Sequence, residues 1–284
     1  MLNHNEVSYL DLWSILVGII LGIVEGLTEF APVSSTGHMI IVDDLWLNTK
    51  EIFSPGVANT FKIVVQLGSI LAVIVVFWDR LWSLIGVGKA GAEKGPSLRL
   101  PMVIVGLIPA AVLGFMFEDF IDKHLFSIET VLIGLIAGSV LMIAADIIHK
   151  KRKNVTQTVD QLTYRQALIV GLFQCIALWP GFSRSGSTIS GGVILGISHR
   201  ASADFTFIMA VPIMLGASAV SLVKNWSYMT PEVIPFFVAG FISAFLFALI
   251  SIRFFLTLIS RIQLVPFAIY RLVLAFVLIV LVYM

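Results

Sequence analysis

Two polar stretches in an otherwise greasy chain carry the residue types that do chemistry. The first reads Glu25-Gly26-Leu27-Thr28-Glu29-Phe30-Ala31-Pro32-Val33-Ser34-Ser35-Thr36-Gly37-His38. The second reads Trp179-Pro180-Gly181-Phe182-Ser183-Arg184-Ser185-Gly186-Ser187-Thr188. Ionisable groups at membrane depth are costly and as a rule functional. Glu25 and Glu29 are four apart, so on a helix they share a face. Two bare carboxylates that close repel, and a divalent cation between them relieves the conflict, because hard cations take oxygen ligands. Without a metal, the same pair would sit in a water-filled vestibule. Pro32 removes a donor and should end the helix near Phe30. Beyond it, Ser34, Ser35 and Thr36 present hydroxyls, and His38 lies three past Ser35. A hydroxyl beside a base is the mark of an activated nucleophile. In the second stretch Pro180-Gly181 breaks another helix. The forked guanidinium of Arg184, flanked by Ser183, Ser185, Ser187 and Thr188, suits phosphate oxygens, and the first amides of a new helix add donors. An arginine paired with a glutamate across the bundle is the expected state of the empty site. Taken together, the two stretches suit phosphoryl transfer or phosphoanhydride hydrolysis on a lipid phosphate that enters sideways from the bilayer.

Elements must bring these stretches together, and composition says what kind. Of 284 residues, 58% are hydrophobic and 12% charged, against about 25% charged in soluble domains. Mean hydropathy is +1.01. These values predict an all-α polytopic membrane protein. A formal net charge of +1 gives no reason to expect a nucleic-acid partner. The single Cys175 has no disulfide partner and no metal-ligand spacing, so it reads as a small buried apolar residue. The N-terminus lacks a basic region and a small-residue cleavage site, so no removable signal peptide is expected.

Six segments approach the length of about 20 apolar residues that a crossing needs: 61–79, 100–117, 127–148, 203–223, 232–252 and 264–284. Two more, 12–24 and 167–179, are too short and run into the polar stretches. Short interrupted segments at corresponding places in two halves point to re-entrant helical pairs lining a site. Gly22 and Glu25 align with Gly171 and Gln174, and Ser34 and Gly37 align with Ser183 and Gly186 at the same offset. The expected fold is therefore one integral membrane domain over 1–284. It has six transmembrane helices, two re-entrant pairs and repeat halves of about 1–148 and 165–284, joined by a basic linker at 149–164.

Loop charge sets the orientation. Arg80, Lys89, Lys94 and Arg99 in one loop, and Lys150, Lys151, Arg152, Lys153 and Arg165 in another, place 80–99 and 149–165 in the cytoplasm. The 253–263 loop, with Arg253 and Arg261, falls on the same side. The 118–126 loop, with Glu118, Asp119 and Asp122 against Lys123, falls outside. Three crossings per half make the halves inverted, and both termini external. The basic linker reads as a positive-inside anchor, with anionic lipid as a further contact. Trp46, Trp78, Trp82 and Trp226 lie near expected interfaces.

The two stretches closely resemble the signature motifs of the bacterial undecaprenyl-diphosphatase family, also called bacitracin-resistance proteins. The likeness runs along the chain, including Thr60-Phe61 and the segment from Val65 to Val73. The resemblance implies a bacterial inner-membrane phosphatase that converts undecaprenyl diphosphate to the monophosphate, recycling the lipid carrier of cell-wall polymers such as peptidoglycan. It implies a magnesium or calcium cofactor at Glu25 and Glu29, and essential roles for Ser35, His38 and Arg184. Ser34, Thr36, Ser183, Ser185, Ser187 and Thr188 would cradle the diphosphate. It also implies six crossings with two inverted re-entrant pairs, and a site opening outward. Lys62 departs from the acidic residue expected there, which puts details of the mouth in question. Ser35, activated by Glu29 or His38, is the first choice of nucleophile, through a phosphoserine; attack by His38 or by a metal-bound water stays open. Rival readings are a lipid-phosphate transporter or flippase on the same inverted repeat, and a histidine-nucleophile lipid phosphatase. Ser35-Thr36-Gly37-His38 is similar to the Ser-Gly-His motif of that second class. The histidine the class needs six residues past its arginine is Ser190 here. A homodimer is left open.

Overall fold

A computed structural model describes residues 4–87, 97–125, 127–152 and 155–284. Lys89, Lys94 and Lys153, used above for orientation, lie outside them. Twelve helices follow in order: α1 (His4–Thr28), α2 (Ser35–Met39), α3 (Thr49–Ile52), α4 (Pro55–Val76), α5 (Trp78–Leu84), α6 (Leu100–His124), α7 (Ile128–His149), α8 (Tyr164–Ile176), α9 (Arg184–Ile194), α10 (His199–Lys224), α11 (Ile234–Ile262) and α12 (Val265–Tyr283). A wider π-helical segment, Ile40–Leu47, continues α2. No β-strand occurs among the described residues; Thr156 and Ile197 form one isolated bridge.

Six helices are long and apolar enough to cross a bilayer: α4, α6 over Leu100–Phe117, α7, α10, α11 and α12. They coincide with the six expected segments, and their outward faces are greasy: Phe115, Phe254 and Phe276 are all exposed. Three boundaries differ from the sequence reading. The first short segment was expected at 12–24, but α1 runs from His4 through Glu25 to Thr28, since a buried polar side chain does not itself break a helix. Residues 118–124 continue α6 rather than forming a loop. Residues 253–262 are likewise the last turns of α11, with Arg253 and Arg261 exposed on them. Nothing in that stretch stops a helix until Gln263, whose φ of 61° ends it.

The two broken helical pairs, α1–α2 and α8–α9, are built alike. α1 crosses α11 where Gly22 faces Gly240, and a Cβ on Gly22 would strike the Gly240 carbonyl. α8 crosses α6 where Gly171 faces Gly106, with the same collision awaiting a Cβ. In each pair a serine starts the second helix: Ser34 (φ 69°) accepts from the Gly37 amide, and Ser183 (φ 71°) accepts from the Gly186 amide. A non-glycine residue at positive φ is strained, and such strain concentrates at functional sites.

The main core lies between these arms and the long helices. Phe30, fully buried one residue past Glu29, packs edge-on to Phe207 of α10 at 5.2 Å between ring centres. This fixes the loop that carries Glu29. At the opposite end of α7, buried Asp146 ties three helices together. One oxygen meets His199 Nε2 at 2.7 Å, and the other accepts the Leu264 and Val265 amides at 2.9 Å each.

Candidate active site

The tips of the two arms meet at Glu29. Its Oε2 accepts from Ser35 Oγ at 2.7 Å, and its Oε1 accepts from Arg184 at 3.0 Å. The carboxylate thus couples the candidate nucleophile on one arm to the candidate phosphate-binding arginine on the other. Glu25, one turn earlier on α1, is buried and lies against the Glu29 carboxyl. A cavity of about 280 Å³ opens beside this contact. Its polar lining includes Glu29, Ser34, Ser35 and Thr36 on the first arm, and Ser183 and Arg184 on the second. One Arg184 guanidinium nitrogen, Nη1, is buried without a partner, which leaves a donor for a ligand.

The other expected residues fall elsewhere. The Ser185 hydroxyl donates to the Ala31 carbonyl at 3.1 Å, locking the two arms together. Ser187 donates to the Phe173 carbonyl, tying α9 to α8. Thr188 bonds back to the Arg184 carbonyl at 2.8 Å and receives Thr206. All three side chains are fully buried, so they shape the cradle and do not line the cavity. His38 also turns away from it: Nδ1 sits 2.8 Å from the Ser34 carbonyl, and Nε2 sits 2.7 Å from the Tyr270 hydroxyl. The base in contact with Ser35 is Glu29, one of the two the spacing offered. Lys62, the outlier in the sequence, is matched locally by Asp43 at 3.2 Å and Asp44 at 3.6 Å, and it does not line the cavity.

Three residues gain weight from the structure. Gln66 lines the cavity, and so does Gln174, whose amide is buried with both polar atoms unpartnered. The signal for Gln174 was its alignment with Glu25. The third is Arg271 of α12, fully buried with no ion pair to a carboxylate among the described residues. It donates to the carbonyls of Gly134 (3.0 Å), Leu135 (3.2 Å) and Gly181 (2.9 Å). Hydrogen bonds offset the cost of burying such a charge; Nη2 makes all three of these, while Nε is buried without a partner. Here they hold the Pro180-Gly181 turn against α7, one step from Ser183. Arg271→Leu should orphan the Gly181 carbonyl, at about 1–3 kcal/mol, while the Gly134 and Leu135 carbonyls keep their partners inside α7. We expect a lower midpoint of thermal unfolding in detergent, together with reduced kcat. An unchanged midpoint and rate would deny Arg271 this role.

A cation at Glu25 and Glu29 would have two carboxylates to bind, and the Ser35 hydroxyl and the unpartnered Gln174 amide line the same cavity as Glu29. No group of three His, Cys, Asp or Glu side chains gathers among the described residues. Further ligands would therefore be hydroxyl, amide or phosphate oxygens, which hard cations accept.

Comparison with known proteins shows which family the chain belongs to. Residues 18–277 match the protein-family model described as "Bacitracin resistance protein BacA". The chain is 68% identical over 268 residues to the undecaprenyl-diphosphatase of Geobacillus sp. (strain WCH70), covering 94% of this chain and 98% of that one. It is 66% identical over 274 residues to the undecaprenyl-diphosphatase of Exiguobacterium sibiricum, covering 95% and 98%. It is 61% identical over 272 residues to that of Bacillus subtilis (strain 168), again covering 95% and 98%. With a family model spanning most of its length and relatives this near, the chain belongs to the bacitracin resistance protein BacA family.

Proposed function

We propose that this protein is a membrane phosphatase that hydrolyses undecaprenyl diphosphate to undecaprenyl phosphate and orthophosphate, recycling the lipid carrier for cell-wall polymers. The observation that carries this reading is the Ser35–Glu29–Arg184 contact at the wall of a polar cavity. The names of the near relatives point the same way.

A bound diphosphate takes Arg184 from Glu29, since two phosphates outbid one carboxylate for a forked cation. Glu29, released from the guanidinium, accepts the Ser35 proton. Ser35 Oγ then forms a bond to the terminal phosphorus as the bridging P–O bond breaks, and undecaprenyl phosphate leaves with the bridging oxygen. Water cleaves the phosphoserine, orthophosphate departs, and Ser35 regains its proton. His38, held between the Ser34 carbonyl and Tyr270, is remote from this line of attack and orients the start of α2. Glu25 and Glu29 would hold the magnesium or calcium ion, which when bound neutralises diphosphate charge.

The same reading takes the two halves as inverted copies in the bacterial inner membrane, with both termini external and the site facing outward. The paired Ser34 and Ser183 caps and the paired Gly22 and Gly171 crossings support the repeat. Exposed Lys150, Lys151 and Arg152 after α7 support a cytoplasmic linker. The cavity's contact with Ile213, Met214 and Ala217, late in α10, supports an outward opening.

The direct test is orthophosphate release from undecaprenyl diphosphate by the protein in detergent, with and without chelator. We expect release that chelation abolishes and magnesium or calcium restores. Lipid movement in vesicles without any orthophosphate would favour a transporter instead.

A further inference from the structure

A second cavity, of about 440 Å³, lies against the first in a groove between α6, α7 and the tip of the α8–α9 pair. Leu178 and Trp179 line both cavities and form the sill between them. Phe117 of α6 and Ala137 of α7 form opposing walls, and Cys175 lies along α8. Apart from the Cys175 thiol, the one polar side-chain group in the lining is the Trp179 indole N–H, already used on the Thr130 carbonyl at 2.7 Å. The Cys175 thiol is turned back to the Gly171 carbonyl. The floor is closely packed: a Cβ on Gly134 would collide with the Pro180 carbonyl, so α7 and the turn touch backbone to backbone. A dry groove of this size is a binding site for something apolar.

We propose that this groove seats the first isoprene units of the substrate's prenyl chain, with Leu178 and Trp179 marking where headgroup gives way to tail. The inference rests on the functional reading above and adds to it a tail-binding subsite. Its carrying observation is continuity. Arg184 and the two sill side chains line the same polar cavity, and the apolar groove begins on the other side of those two side chains. The remaining tail would run out into lipid, since the groove is too small for the whole chain.

Cys175, the chain's one cysteine, reports on occupancy without any introduced label. Full-length protein carrying Ser35→Ala, which keeps substrate intact, is treated with N-ethylmaleimide in detergent. Undecaprenyl diphosphate should slow modification of Cys175 about fivefold or more, while inorganic diphosphate, which fills only the polar cavity, should not. In otherwise unmodified protein, Ala137→Trp fills the groove without touching the catalytic residues. It should raise KM for undecaprenyl diphosphate about tenfold with kcat changed less than about twofold. Equal modification rates with both diphosphates, an unchanged KM, or equal protection by phosphatidylglycerol would overturn the proposal. These failures are distinct from failure of the function itself, which would show as no orthophosphate from the unmodified protein.

Discussion

Arg184→Ala should lower kcat/KM for orthophosphate release from undecaprenyl diphosphate by about a thousandfold or more. Arginines that neutralise charge in phosphoryl transfer are worth ~10³–10⁵ in rate. The geometry here gives that role no substitute. Arg184 is the cation among the residues lining the cavity, and its unpartnered nitrogen has no other use. Arg184→Lys should recover only a small part of the loss, because a point charge cannot reproduce two parallel hydrogen bonds. The alanine variant also strips Glu29 of its resting partner, so folding must be checked by thermal unfolding. Glu29 keeps the Ser35 hydroxyl and lies at a cavity where water can reach it, and we expect only a modest shift in the midpoint. Near-normal kcat/KM in a folded Arg184→Ala protein would mean that diphosphate is not bound where the two arms meet.

Ser35→Ala should be equally severe, costing about a thousandfold or more in kcat while leaving KM within a few-fold. Removing a nucleophile abolishes chemistry without removing the groups that bind the ground state. The phosphate-binding donors of Arg184 and Ser183 remain, so affinity should survive. Rapid acid quenching of the unmodified protein with substrate labelled in its terminal phosphate should trap label on Ser35. No label should be trapped in Ser35→Ala. Full activity in that variant would remove Ser35 as nucleophile and return the step to water or to His38. Glu29→Gln supplies a further check, because it keeps the shape while removing the base and one carboxylate that would hold the cation. It should lower kcat by ~10²–10⁴, the range of general-base effects. Combined with Ser35→Ala, it should cost little more, since the two act as one unit.

Much of this was legible before any coordinates. The six crossings follow from length and hydropathy, because a bilayer asks for about 20 apolar residues and little else. Glu25, Glu29 and Arg184 stood out as candidates because ionisable groups in greasy surroundings must have a reason to be there, and Ser35 stood out as a hydroxyl in the same polar stretch as the two glutamates. The breaks after Glu29 and before Ser183 were legible from Pro32 and from Pro180-Gly181. Less legible were the helix ends. α6 and α11 run on past the membrane-length segments because helix propensity does not stop at an interface.

Tertiary structure alone decided the division of labour among the hydroxyls. Ser185, Ser187 and Thr188 share a sequence neighbourhood with Ser183, yet their oxygens are spent on Ala31, Phe173 and Arg184 carbonyls. Which way a hydroxyl points on a helix depends on what packs against it, and that is a long-range fact. The same holds for His38. Its spacing from Ser35 allowed contact, but Tyr270, distant in the chain, holds its ring instead. Arg271 was invisible as a structural residue for a related reason: its partners are carbonyls, which every residue has, so no pattern of side chains marks them in advance. Composition and spacing thus marked the residues with the right chemistry and how many helices are long and apolar enough to cross. Only the packing of two broken arms against one another decided which oxygens face the cavity, because a hydrogen bond is made or missed within a few tenths of an ångström.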